Sequence, residues 1–227
     1  MSEVLGLDIE QAFDYPDGVT FPQHPVLAET LFAGTEPLKP LFPEGRLAPG
    51  HYVVSGPREL PANFLTALCP ALLRGTRVLW LDAGNSFNAY GAGYATRLLG
   101  ADAKAALARV DLARPFNLYQ LETMVKVKVP ERWRGEPIVI ADPMPLFYDT
   151  DVPATAARRV LARILEGMMN LPAVWLVLAV EREAPEGREK WEGELIRCAR
   201  GATRYYGPNF TDDSPEPSGG RSRLEAL

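Results

Sequence analysis

Three groups of residues have the types and spacing for chemistry. The first is the run Gly56-Pro57-Arg58-Glu59-Leu60-Pro61-Ala62-Asn63, set between a short apolar stretch and an expected helix. A loop in that position can hold phosphates when it reads G-x-x-x-x-G-K-[ST]. Its amides and lysine embrace the phosphates, and its hydroxyl meets the metal. Aligned from Gly56, the second glycine is Pro61, the lysine is Ala62 and the hydroxyl residue is Asn63. Arg58 supplies a cation within the loop, and Glu59 beside it opposes phosphate. The frame is there without its chemistry.

The second group is a pair of acids, Asp82 and Asp142, each ending an apolar run. If those runs are adjacent strands, the carboxylates lie close together. Paired acids can bind a divalent metal or divide acid and base roles; the alternative is that both simply accept hydrogen bonds from loop amides. The third group is basic: Lys126, Lys128, Arg132, Trp133 and Arg134, with Arg158, Arg159 and Arg163 further on. Lys126 and Lys128 share a side if the segment is extended, and Trp133 between two arginines could stack on a base. The competing reading is a solvated connection with Trp133 anchored in the core. Arg158, Arg159 and Arg163 form a candidate basic stripe on one helix.

Elements to position these residues follow from the apolar pattern. Strands are expected at 53–55, 77–81, 110–114, 137–142, 173–180 and 203–206, with helices at 63–74, 90–99, 101–108, 117–125, 154–169 and 191–199. Asn63 is the expected cap of the first of these helices. Near-continuous apolar strands separated by helices imply an α/β fold, a mostly parallel sheet with helices on both faces in three layers. Ligands in such folds sit at the carboxyl ends of the strands. Residues 1–40 are proline-rich, which excludes a long helix. They carry Phe13, Tyr15, Phe21 and Phe32 as candidate anchors on the core or on a neighbouring subunit. The core is expected over 41–206, and the polar tail 207–227 is expected to be disordered.

The chain has 227 residues, is 47% apolar and carries a formal net charge of -5, which argues against a surface wholly devoted to nucleic acid. No run approaches the roughly 18 apolar residues of a membrane span, and no basic-then-apolar leader opens the chain. A soluble cytoplasmic protein with no membrane partner is expected. Cys69 and Cys198 have no metal or redox spacing, and His24 and His51 are isolated. His51 falls at a strand start, away from Asp82, which weakens any esterase-like arrangement.

Four landmarks in order resemble the ATPase core of the RecA-type recombinases, including their archaeal and eukaryotic relatives and the clock-type ATPases. They are the approach Leu41 to Pro57, the strand and triplet around Asp82-Ala83-Gly84 with Phe87, the run Arg114-Pro115-Phe116 with Gln120, and the strand ending in Asp142. The resemblance implies a RecA-like core in which Asp142 matches the metal-side carboxylate. Gly84 stands where the family carries the glutamate that orients the attacking water. Hydrolysis needs a phosphate cradle, a lysine, a metal-bound hydroxyl and an activated water.

Gly56, Arg58, Pro61, Ala62, Asn63, Asp82, Gly84 and Asp142 therefore read as a vestigial nucleotide site. No catalytic residue, metal or cofactor is expected. The resemblance also places 143–153 and 181–190 where the family faces DNA, yet neither segment is a funnel of cations and aromatics. The leading expectation is a catalytically inactive paralogue that binds or regulates in DNA recombination or repair. Its candidate partners are DNA, especially single-stranded, and a like subunit or an active RecA-like relative. The alternatives are an active ATP-dependent enzyme with an unusual loop and a protein-interaction adaptor unrelated to DNA.

Overall fold

A computed structural model describes residues 48–206. The proline-rich segment, residues 41–47 of the expected core and the tail lie outside the described residues. Within them, six parallel strands form one sheet in the order β3-β2-β4-β5-β1-β6. The strands are β1 Gly50–Gly56, β2 Val78–Asp82, β3 Val110–Ala113, β4 Ile138–Ala141, β5 Val174–Val180 and β6 Gly201–Arg204. The helices are α1 Leu60–Leu73, α2 Ala89–Leu98, α3 Ala103–Leu107, α4 Leu118–Thr123, α5 Val129–Arg132, α6 Met144–Phe147, α7 Ala154–Asn170 and α8 Trp191–Arg197. No helix of the described residues is long and apolar enough to cross a membrane.

Burial explains the order. β1, β2 and β4 are buried at every position and β5 at all but its first, as expected of strands covered on both faces. β6 alternates between partial burial and exposure, β3 is partly buried except at Leu112, and both lie at the edges. One face packs Tyr52, Val54, Trp80, Val139 and Leu178 against α1 and its neighbours. The other packs Val53, Leu81, Ile140, Trp175 and Val177 against α4, α7 and α8. The expected α/β three-layer fold is therefore what the chain adopts.

Two local expectations change. Asn63 does not cap α1: the helix begins at Leu60, and the Asn63 amide already donates to Glu59 O at 2.9 Å. Pro61 sits in the first turn, where its missing N–H costs nothing, so it starts the helix early rather than delaying it. Nor is the segment carrying Lys126 and Lys128 extended. Residues Met124–Lys128 form a π-helical turn that joins α4 to α5, with Val129 N donating to Met124 O. Pro130 follows immediately and cannot donate, so a widened turn lets the chain pass it without a break.

Candidate functional site: the carboxyl ends of β1, β2 and β4

The parallel register brings the three candidate segments to one end of the sheet. Gly56 pairs with Val180, Asp82 with Ala141, and Ala141 with Leu178. Asp82 and Asp142 thus end neighbouring strands, as the apolar runs suggested. His51 lies at the opposite end of β1; its ring nitrogen is 3.4 Å from Leu195 O, and burial lowers its pKa.

The β1–α1 connection is too short to encircle a phosphate. Gly56 still belongs to the sheet, accepting from Glu181 N at 2.8 Å, and Leu60 N already closes a turn onto Pro57 O at 2.9 Å. Leu60 is buried, and a Cβ placed on Gly56 would stand 2.6 Å from Tyr205 O. Asn63 Nδ2 donates to the Tyr205 hydroxyl at 3.3 Å. An anion nest needs convergent free amides. Here the Leu60 and Asn63 amides are engaged with carbonyls and Pro61 has none. Ala62 lies within the helix, while Arg58 and Glu59 form the exposed middle of the turn.

Asp82 is fully enclosed and saturated. Its Oδ1 accepts from Ser86 N at 2.7 Å, Ser86 Oγ at 3.2 Å and Phe87 N at 3.2 Å. Its Oδ2 accepts from Arg114 Nε at 3.0 Å and Nη2 at 2.8 Å. This carboxylate folds its own loop and fastens β2 to the chain leaving β3.

Asp142 is different. Its backbone is left-handed, with φ of 51°, and its amide donates to Leu178 O at 2.7 Å. Oδ2 accepts from Arg182 Nη2 at 2.5 Å, while Oδ1 is buried without a hydrogen-bond partner. Burial raises its pKa, the Arg182 cation opposes that rise, and the nearby Asp82 charge adds to it. Gly84 lies directly against this side chain. A Cβ there would be 2.4 Å from Asp142 Oδ2 and 2.5 Å from its Cβ, so any larger residue requires Asp142 to move.

The adjoining loop is held by an arginine that the sequence reading did not single out. Arg188 is 4% exposed and donates to the carbonyls of Phe147, Asp149 and Val152 while lying 4.8 Å from the Trp191 ring centre. It joins the two segments, 143–153 and 181–190, that the resemblance implied were DNA-facing. Arg114 and Arg182 were likewise missed as the partners of Asp82 and Asp142. Arg114 had a signal: aligning the starts of β2 and β3 puts it one step beyond the Leu81–Ala113 pair, opposite Asp82.

The basic group is dispersed, and four of its cations are paired with glutamates. Lys126 pairs with Glu166 at 2.9 Å, Lys128 with Glu131 at 3.1 Å and Arg158 with Glu194 at 3.0 Å. Arg163 pairs with Glu122. Trp133 packs against the core and donates to Glu136 O at 2.7 Å, and Arg134 Nη1 donates to Trp133 O at 2.8 Å. Arg159 is exposed, and Arg132 borders an apolar groove of about 360 Å³ beside β3. Among the described residues, no three His, Cys, Asp or Glu side chains converge as a metal set.

Neither a protein-family model nor a curated protein matches the chain.

Proposed function

We propose that this protein is a catalytically inactive RecA-like paralogue that acts by binding, as a regulatory component in DNA recombination or repair. The observation that carries the proposal is the state of Asp142. The one carboxylate that matches the family's metal-side acid is paired to Arg182 and packed on Gly84, where the water-orienting glutamate would stand. The early start of α1 at Leu60 supports the same reading. The process assignment follows from the resemblance of the four landmarks.

The paired cations favour one variation, in which the contact is with another protein and DNA is not touched directly. Lys126, Lys128, Arg158 and Arg163 each pair with a glutamate, which lowers their contribution to a phosphate-binding surface.

One titration tests both. The purified protein is mixed with ATP–magnesium and with labelled single-stranded DNA at low and moderate salt, with sedimentation reporting assembly. The expected result is no ATP turnover. Turnover abolished by Asp142→Ala would overturn the inactive reading and favour an active enzyme with an unusual loop. DNA binding that weakens with salt would support direct recognition, and its absence at low salt leaves the protein-binding variation.

A further inference from the structure

Helix α2 carries its large apolar residues on the wrong side for an ordinary amphipathic helix. Its buried positions are Ala92, Gly93 and Thr96. These are small enough that Cys69 Sγ lies 3.5 Å from Ala92 O. A Cβ on Gly93 would stand 3.6 Å from Ala103 Cβ. Its outward positions include Tyr90, Tyr94 and Leu98, which are 92%, 61% and 70% exposed. Spaced four apart, they form one continuous stripe. Contiguous exposed apolar surface of this kind marks a binding site.

The stripe ends among cations. Arg97 lies in the last turn of α2, Arg74 follows α1, and Lys104 opens α3. Arg109 reaches back to α1, its Nη1 3.5 Å from where a Cβ on Gly75 would lie. All four belong to the amino end of the sheet, and none has an acidic partner among the described residues. The surface fits a chain that is both apolar and acidic.

Such a chain precedes the described residues. Between Glu3 and Glu36 there are seven carboxylates, and no lysine or arginine occurs before Lys39. The carboxylates are interleaved with Leu7, Ile9, Phe13 and Tyr15. The entry point is also on the right side. Tyr52, whose side chain packs on the α1 face, donates its hydroxyl to Ala48 O at 3.0 Å. From β1 to β2 is three strand spacings, roughly 14 Å, which about five extended residues cover. Residues 39–47 are enough to bridge it.

We propose that residues 1–38 dock on the α2 stripe of their own chain. Their carboxylates meet Arg74, Arg97, Lys104 and Arg109, and their aromatic side chains pack on Tyr90, Tyr94 and Leu98. Tethering gives the segment a high effective concentration at the patch. The same carboxylates repel a competing polyanion.

The test places a photoreactive amino acid at position 94 of the full chain, in an equal mixture of light and ¹⁵N-labelled protein. The expected result is cross-links from position 94 to residues 1–38 within single chains, light to light and heavy to heavy. Arg97→Glu combined with Lys104→Glu lowers their yield about fivefold at low salt. Light-to-heavy links would overturn the proposal in favour of a second copy. Links elsewhere, or none, overturn it, as does a yield indifferent to the charge reversal. Loss of single-stranded DNA binding in Tyr94→Ala without any link to 1–38 would assign the stripe to nucleic acid instead.

Discussion

The carboxyl end of the sheet and the outer face of α2 invert the usual distribution of polar and apolar groups. At the sheet end, Asp82 and Asp142 are 0% and 5% exposed, each beside an arginine. On α2, Tyr90 is 92% exposed while the buried face is nearly featureless. The difference separates two ways in which burial constrains a side chain. A buried carboxylate draws donors from within the chain, fully for Asp82 and through one oxygen for Asp142. An exposed aromatic stripe has no such obligation and stays available to another segment. The sheet end thus holds buried ion pairs, while the exposed apolar surface lies on α2.

The sharpest way to break the comparison is at Arg188. Arg188→Ala removes the donor to the buried carbonyl of Phe147 and the part-buried carbonyls of Asp149 and Val152, together with the contact with Trp191, for an expected loss of about 3 kcal/mol. Urea unfolding followed by tryptophan fluorescence reads the loss. Arg188→Lys should recover only part of it, because one ammonium cannot span the same three acceptors.

Arg182→Ala is next, with an expected loss of about 2 kcal/mol at neutral pH, as Asp142 is left charged and buried. Its pH dependence follows from the raised pKa of Asp142. The folded protein holds that proton more tightly than the unfolded chain does, so stability falls as pH rises from about 3.8 through the folded-state value. Removing the cation raises the folded-state value further and deepens the fall. The variant should therefore approach the parent protein below about pH 3.8 and diverge above it. Parallel denaturation curves across that range would refute the pairing.

Gly84→Ala should cost about 2 kcal/mol, since the added methyl overlaps Asp142 and forces a shift. An unchanged midpoint would mean that Asp142 moves aside freely and that the site is less closed than its geometry indicates. The smallest effect is expected at α2. Tyr94→Ala removes no core contact and should change unfolding by under about 1 kcal/mol. A larger loss that persists in a chain lacking residues 1–38 would make the stripe part of the core, and the comparison would fail.

Much of the architecture could be read from the residues in order. Val174 to Val180 and Ile138 to Ala141 are apolar without alternation, which by itself marks interior parallel strands. What stayed hidden was local in one case and distant in the others. Leu60 begins α1 because a proline suits a first turn as well as it suits a loop, and composition does not choose between them. The π-helical turn at Met124–Lys128 shows the same ambiguity, since alternating Val and Lys suit a strand until Pro130 and the packing of Val125 select a helix.

The sequence by itself determined the strands and the layers, because period and apolarity are properties of short stretches. Tertiary structure alone decided that Asp142 meets Arg182 forty positions later, that Arg188 reaches three carbonyls across another loop, and that the aromatic side of α2 faces outward. Those outcomes depend on strand order and register. Burial then enforces them, because a charge removed from water stays only where a partner already stands.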